Sequence, residues 1–308
     1  MLGAVADAGA PLVVLLSGGR DSVCLLDLAV RAHGAGAVRA LHVNYRLRSA
    51  ADGDEVACRK LCHALGVTLE VVRAPAPPAR GNLQAWAREV RYAAAARVAG
   101  DALVATAHTA SDQAETVLYR LAAAPGRRAL LGMRPRDGIL VRPLLSFTRV
   151  ETTAYCDARG LRWREDPSND DPRFARARVR HDLLEALRRV HPAAEANVVR
   201  SAELLRDEAE VLDALVAAEV SHDRVSLERL RELPAALARL VVQELADRAA
   251  GALVPGAARR TEELLELHGG ALDVGGGVRA VVERGVLRFG PSEGPAARGT
   301  PAGKGGRR

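Results

Sequence analysis

The sequence predicts an α/β protein in which a parallel, doubly wound sheet occupies the first half and a mainly helical C-terminal part follows. Three features predict it. Five consecutive apolar residues, 12–16, run into the turn Ser-Gly-Gly-Arg-Asp-Ser and then a helical stretch. Strand patterns alternate with helical ones as far as residue 107, and beyond about residue 148 the pattern becomes helical. The 308 residues exceed one typical core, so two domains are expected, and the 48% of hydrophobic residues are mostly aliphatic because aromatics make up only 3%.

Taken in order, residues 12–16 form a buried strand and 21–31 a helix that Gly34 stops. Residues 37–45 read as a second strand, 50–65 as a helix, and 67–73 as a third strand with period-two alternation. A proline-rich loop over 74–80 precedes Asn82, which caps a helix running to about residue 98 with Gly100 behind it. Residues 102–107 supply a further strand. Thr148 and Glu151 form a capping box that opens a helix ending before Gly160. Asp166-Pro167-Ser168-Asn169 has turn chemistry and reads either as a loop facing the functional site or as a connector. Several amphipathic helices follow over 179–268, and 278–289 suggests a small hairpin around Glu283-Arg284-Gly285. From residue 291 the chain is rich in glycine, proline and arginine without apolar periodicity and is expected to be disordered.

Ligands of such sheets bind at the carboxyl ends of the strands, which places 17–22, 42–48 and 108–115 along one edge. There the turn Ser17, Gly18, Gly19, Arg20, Asp21, Ser22 reads as a phosphate cradle. Glycines let the backbone approach a ligand, the helix N-terminus offers free N–H groups, and the serines add hydroxyl donors. A carboxylate beside phosphates repels them unless a cation bridges the two, so Asp21 implies Mg²⁺. The turn matches neither the Walker A nor the dinucleotide-binding glycine pattern; a plain Gly-Gly turn is the bland alternative. Asp112 and Glu115 can hold a substrate ammonium or a metal at the mouth of such a site. The same spacing is that of a helix capping box, with Ser111 as another cap, and spacing alone favours capping.

Charge is uneven: net +7 over 1–150, +1 over 151–200, −5 over 201–290 and +3 over 291–308. The positive potential lies on the half that carries the turn and on the tail, as a polyanionic substrate requires, although a solvated arginine surface gives the same count. The four cysteines, Cys24, Cys58, Cys62 and Cys156, include no Cys-x-x-Cys and read as structural thiols of a reducing compartment. No basic segment precedes the N-terminal apolar run, Asp7 interrupts it, and no run reaches transmembrane length; a cytoplasmic protein without membrane contact is expected.

Ser-Gly-Gly-x-Asp-Ser resembles the signature of the N-type ATP pyrophosphatases, the PP-loop superfamily with an adenine nucleotide alpha hydrolase-like fold. Within it the first 190 or so residues resemble the tRNA(Ile)-lysidine synthetases. The pieces that match are Ser17 to Ser22, His42-Val43-Asn44 with Leu47-Arg48, Gly81-Asn82-Leu83 with Arg88 and Arg91-Tyr92, Ala107-His108, and Asp112 to Thr116. Arg142-Pro143-Leu144-Leu145 and Asp166 to Asn169 with Arg176, Arg178 and Arg180 complete them. The resemblance implies ligation of free L-lysine to carbon 2 of the wobble cytidine of a CAU-anticodon tRNA(Ile), through an adenylated tRNA, with ATP and Mg²⁺ as cofactors.

By position, the resemblance gives residues 17–22 to ATP, Asp21 to Mg²⁺ and catalysis, and Asp112 and Glu115 to catalysis and lysine. It gives His42, Asn44, His108, Arg142, Arg176 and Arg178 to substrate, and it allows a homodimer. The implied division is 1–148 for the nucleotide-binding catalytic domain and 149–210 for a helical linker with an active-site loop. A small helical domain with a hairpin follows over 211–290 and a basic tail over 291–308. Thr109, Ser111, Tyr45 and Ala177 depart from the family's usual residues, none of them at a signature aspartate or glycine. The rival readings are a tRNA base thiolase of the same superfamily, a glutamine-dependent amidotransferase, for which no glutaminase domain is present, and a non-catalytic nucleotide- or RNA-binding module.

Overall fold

The computed structural model describes residues 1–47, 49, 51–123, 126–165, 170–220 and 223–292. It divides into two compact units, Met1–Leu205 and a second from Arg206 onward. Among the described residues no helix is long and apolar enough to cross a membrane.

Among the described residues, the first unit carries six strands, β1 (Leu12–Leu15), β2 (Val38–Asn44), β3 (Thr68–Arg73), β4 (Leu103–Ala105), β5 (Arg136–Asp137) and β6 (Leu140–Val141). They lie in the order β3-β2-β1-β4-β6-β5, and every pair is parallel except β5 with β6. The helices that position the site are α1 (Leu2–Ala6), α2 (Arg20–His33), α3 (Ala51–Leu65), α4 (Leu83–Ala99), α5 (Ala110–Ala123), α6 (Arg127–Leu130) and α7 (Arg149–Ala158).

Period-two geometry makes the sheet two-sided. Leu12, Val14 and Leu16 pack with Val23, Leu25 and Leu26 of α2, Cys58 and Cys62 of α3 and Cys156 of α7. Val13 turns the other way, into Leu41, Val104 and the small Ala94, Ala95 and Ala99 of α4. Asn82 caps α4 as expected, its side chain accepting from the Gln84 and Ala85 N–H groups. The expected box at Thr148 and Glu151 also forms, with both reciprocal hydrogen bonds. Because β1 has β2 on one side and β4 on the other, the chain leaves the sheet centre in opposite directions. The crevice this opens at the carboxyl ends is where such folds bind ligands.

In the second unit four antiparallel strands, β7 (Arg224–Ser226), β8 (Gly270–Gly275), β9 (Val278–Glu283) and β10 (Val286–Pro291), lie in the order β7-β10-β9-β8. Val278, Ala280, Val282 and Leu287 face Val241, Val242 and Leu245 of the helix Ala235–Ala250, together with Leu230 and Leu264. The hairpin expected over 278–289 is β9–β10, to which β7 and β8 add a strand on either side. The loop expected at 166–169 and nearly all of the tail, 293–308, lie outside the described residues.

The β9–β10 turn places both Arg284 (φ 50°) and Gly285 (φ 76°) in the left-handed region, as a two-residue hairpin loop requires. Glycine takes that conformation freely and arginine does not. Arg284→Asn is expected to stabilise this unit by about 1 kcal/mol, read from urea unfolding monitored on the second unit; an unchanged or lower midpoint contradicts the turn assignment.

Candidate active site

The Ser17 to Ser22 turn carries β1 into α2. Leu16 N–H still donates to the Leu41 carbonyl at 2.8 Å, and Gly18 then adopts φ 87°. A side chain there would be strained, and its Cβ would lie 3.2 Å from Cys58 Sγ. Gly19 is the N-cap of α2, so the N–H groups of the first turn have no helical carbonyl to meet. Two serines hold the turn open. Ser17 N–H donates to Ser22 Oγ at 3.2 Å, the two hydroxyls lie 3.1 Å apart, and Ser22 Oγ donates to the Gly19 carbonyl at 2.8 Å. The Gly18 carbonyl accepts from Arg164 N–H at 3.0 Å, which ties residues 163–165 over the turn.

The facing wall begins where β4 ends. Thr106 Oγ1 and His108 Nδ1 are 2.8 Å apart. Thr109 and Asp112 then form a reciprocal cap: Asp112 Oδ2 accepts from both the N–H and the hydroxyl of Thr109 at 2.8 Å, and Asp112 N–H donates to Thr109 Oγ1 at 3.3 Å. The box opening α5 is therefore Thr109 with Asp112, three residues upstream of Asp112 with Glu115, while Ser111 Oγ accepts from Arg149 N–H at 3.2 Å. Two of the positions that depart from the family pattern, Thr109 and Ser111, thus orient helix ends.

Arg149, the first residue of α7, joins the two walls. Its Nη2 lies 2.7 Å from Asp112 Oδ1, its Nη1 3.1 Å from Glu115 Oε1, and its Nε 3.9 Å from Asp21 Oδ2. Asp21 also pairs with Arg20 at 3.0 Å and accepts from Thr152 Oγ1 at 2.5 Å. Arg180 takes Glu115 from the other side, Nε to Oε1 at 2.7 Å and Nη2 to Oε2 at 3.2 Å.

These walls enclose a cavity of about 580 Å³ lined by Ser17, Gly19, Arg20, Asp21 and Ser22, by Thr106, His108 and Asp112, by Tyr45 and Arg91, and by Arg149, Trp163, Arg164, Glu165, Asp170 and Arg180. Seven residues singled out in the sequence are brought together here: Ser17, Gly19, Arg20, Asp21, Ser22, His108 and Asp112. Gly18 shapes the turn from behind. The other expected substrate residues do not line the cavity. His42 is buried with Nδ1 2.9 Å from the Leu16 carbonyl, and Asn44 is buried with Nδ2 donating to Asp52 at 3.0 Å and Glu55 at 3.1 Å. Glu115 is 1% exposed. Arg142 is buried on the Arg134 carbonyl, Arg176 reaches Thr116 Oγ1 at 3.4 Å, and Arg178 caps the Pro172 and Arg173 carbonyls. Sequence reading missed Arg149, Thr152 and residues 163–165; the Thr148 cap fixed where α7 begins, but nothing local showed that its first residue meets acids 34 and 37 positions away.

Electrostatics follow from this packing. Burial pulls the Asp112 carboxyl upward, but Arg149 and the Thr109 N–H outweigh it and hold it below the usual carboxylate range. Burial pushes His108 down to about 4; Asp112 opposes this, whereas Arg142, Arg91 and Arg176 add to it. His108 is therefore a neutral hydrogen-bonding group near pH 7. As pH falls the unfolded chain takes up this proton first, so the stability His108 contributes is intact above about 6.5 and is lost as pH drops toward 4. An NMR titration of the imidazole should show a midpoint near 4; an ordinary value near 6.5 would refute the environment described.

Mg²⁺ is usually held by one or two carboxylates together with phosphate oxygens and waters; Asp21 is a carboxylate beside the phosphate-type turn, and among the described residues no group of three or more His, Cys, Asp or Glu side chains gathers into a metal centre of its own.

The family model of the PP-loop domain matches residues 5–187. The tRNA(Ile)-lysidine synthase of Pseudomonas syringae pv. tomato is 41% identical over 215 residues, 67% of this chain and 48% of that protein. Its namesake from Thermus thermophilus is 43% identical over 246 residues, 77% of this chain and 48% of that protein. The chain thus spans about half the length of these curated relatives. Among solved structures, the U34-tRNA thiolase NcsA from Methanococcus maripaludis, with its 4Fe-4S cluster, shares the fold at a TM-score of 0.54 and 20% identity, covering 63% of this chain and 71% of its own. With well over half of its residues matched by the family model, and with the Ser-Gly-Gly-Arg-Asp-Ser turn built at the switch point of its sheet, this chain belongs to the PP-loop domain family.

Proposed function

We propose that this protein uses ATP to ligate L-lysine to carbon 2 of the wobble cytidine of a CAU-anticodon tRNA(Ile) in the cytoplasm. The observation that carries the reading is one cavity holding both the Ser17 to Ser22 turn and the Asp112 carboxylate. It brings a phosphate cradle and an ammonium acceptor to the same reaction space, in a chain about 40% identical to proteins named tRNA(Ile)-lysidine synthase.

In this reading the first-turn N–H groups of α2 and the hydroxyls of Ser17 and Ser22 hold the pyrophosphate part of ATP. The cytidine carbonyl oxygen attacks the α-phosphorus and pyrophosphate leaves. The lysine ε-amine then forms a bond to carbon 2, the bond from carbon 2 to the adenylated oxygen breaks, and AMP departs with that oxygen while the amine loses its proton. Converting a poor leaving group into AMP is what makes the substitution feasible. Mg²⁺ held by Asp21 would neutralise charge developing on pyrophosphate.

Four arginines support an RNA partner. Arg88, Arg91, Arg120 and Arg176 are at least partly exposed and form no ion pair with a carboxylate among the described residues. Burial lowers Arg120, and repulsion from Arg176, Arg88 and Arg142 lowers it further. Phosphates relieve such crowding. The thiolase reading finds less support: the four cysteines are buried and none lines the cavity, with burial pushing Cys58 up to about 12 and Cys62 up to about 11, far from thiolates at neutral pH.

Purified protein with ATP, Mg²⁺ and a CAU-anticodon isoleucine tRNA transcript is expected to release pyrophosphate, with lysine sustaining turnover. Asp21→Ala should lower the rate by about 100-fold or more. Release without lysine consumption would favour another base-adenylating enzyme, and no release would favour a binding module.

A further inference from the structure

The least constrained point of the Ser17 to Ser22 turn is the peptide between Gly18 and Gly19. With a glycine on each side it meets little steric resistance to flipping. A flip exchanges the places of its carbonyl and its N–H, which point in opposite directions in a trans peptide. In the observed orientation the Gly19 N–H donates to Ser17 Oγ at 3.3 Å, on the side of the hydroxyl donors, and the Gly18 carbonyl accepts from Arg164 N–H at 3.0 Å. The flipped peptide would put a carbonyl oxygen among those donors and repel a phosphate there.

Arg164 reaches the turn from residues 163–165, a strap that crosses it after α7 has ended. Upstream, Leu161 N–H donates to the Cys156 carbonyl at 2.9 Å, and Leu161 and Trp163 pack on the core cluster of β1 and α2. The strap has a second anchor in the Arg164 side chain, whose Nε donates at 2.6 Å to Oδ1 of Asp54, in the first turn of α3. The guanidinium lies along that turn, since a Cβ on Gly53 would come 3.4 Å from its Nη2 and 3.6 Å from its Cζ. Asp54 is 9% exposed against 47% for Arg164, so the bond is sheltered from the carboxylate side. One residue thus grips the turn with its main chain and α3 with its side chain.

We propose that Arg164 and Asp54 are positioning residues for the phosphate turn. Their ion pair anchors the strap, and the strap's N–H locks the Gly18–Gly19 peptide with its donor, and not its carbonyl, toward the phosphates of ATP. In this role the guanidinium stays on Asp54 and touches no phosphate. The proposal rests on the reading of the turn as the phosphate site of ATP and is independent of which molecule is adenylated.

Calorimetry on the full chain with Mg²⁺ tests it by comparing ATP and inorganic pyrophosphate with AMP, which lacks the two outer phosphates. Arg164→Met and Asp54→Leu should each weaken ATP and pyrophosphate by about 10-fold and leave AMP nearly unchanged, with Arg164→Lys recovering part of the loss. Removing the Asp54 charge by itself favours a polyphosphate, so a loss in Asp54→Leu speaks for the anchor. The double variant should bind ATP no more weakly than Arg164→Met alone, because the two residues act as one unit. Unchanged ATP affinity in Arg164→Met overturns the proposal, and so do equal losses for ATP and AMP, which would make the pair a support of the whole fold. Tighter ATP binding in Asp54→Leu overturns it as well, since a freed guanidinium would then be meeting phosphate directly. Additive losses in the double variant would separate the two residues and overturn the anchor. If Arg164→Met does not fold, Asp54→Leu decides by the same readings. A wild-type protein that binds neither ATP nor pyrophosphate overturns the phosphate reading of the turn itself, and this proposal with it.

Discussion

Asp21, Asp112 and Glu115 converge on one guanidinium, that of Arg149, and the site depends on this convergence. Three like charges cannot be brought together in a partly buried crevice unless cations answer them. Arg149 answers all three, with Arg20 assisting at Asp21 and Arg180 at Glu115. Helix ends contribute as well. Asp21 and Asp112 sit in the first turns of α2 and α5, where the helix macrodipole favours negative charge. The arrangement is poised for ligands that carry both signs, because an incoming ammonium or phosphate exchanges partners without leaving a buried charge alone.

The sheet explains why these helices meet. Its order places β1 and β4 side by side with their carboxyl ends together, so the turn after β1 and the turn after β4 open onto the same crevice. Each turn is fixed by its own local bonds, the Ser17–Ser22 hydroxyl pair on one side and the Thr109–Asp112 cap on the other. The geometry of the crevice thus rests on two preorganised turns and one long-range bridge. Thr152, donating to Asp21 from the same helix, adds a further tie between α7 and the Ser17 to Ser22 turn.

What the sequence revealed was local. The Ser-Gly-Gly-Arg-Asp-Ser turn, the Asn82 cap and the Thr148–Glu151 box are legible because every group they need lies within a few residues. The unbroken apolar run of 12–16 likewise announced a buried strand. The α5 cap was legible in type but not in frame, since Thr109, Ser111 and Asp112 all have capping side chains and only the backbone decides among them. The burial of Glu115 was not legible: its partners Arg149 and Arg180 are 34 and 65 residues away, and a carboxylate facing a ligand has the same local spelling as one behind an arginine pair. The short strands β5 and β6, two residues each, and β7, with three, are below the length at which periodicity means anything.

The most direct test of the account is the mass of the wobble nucleoside from a CAU-anticodon isoleucine tRNA incubated with the protein, ATP, Mg²⁺ and isotopically labelled lysine. The account predicts that the cytidine gains the mass of one lysyl residue, carries the label, and appears only when ATP and lysine are both present. An unmodified cytidine after ATP has been cleaved, or a sulfur-bearing nucleoside in its place, would contradict it.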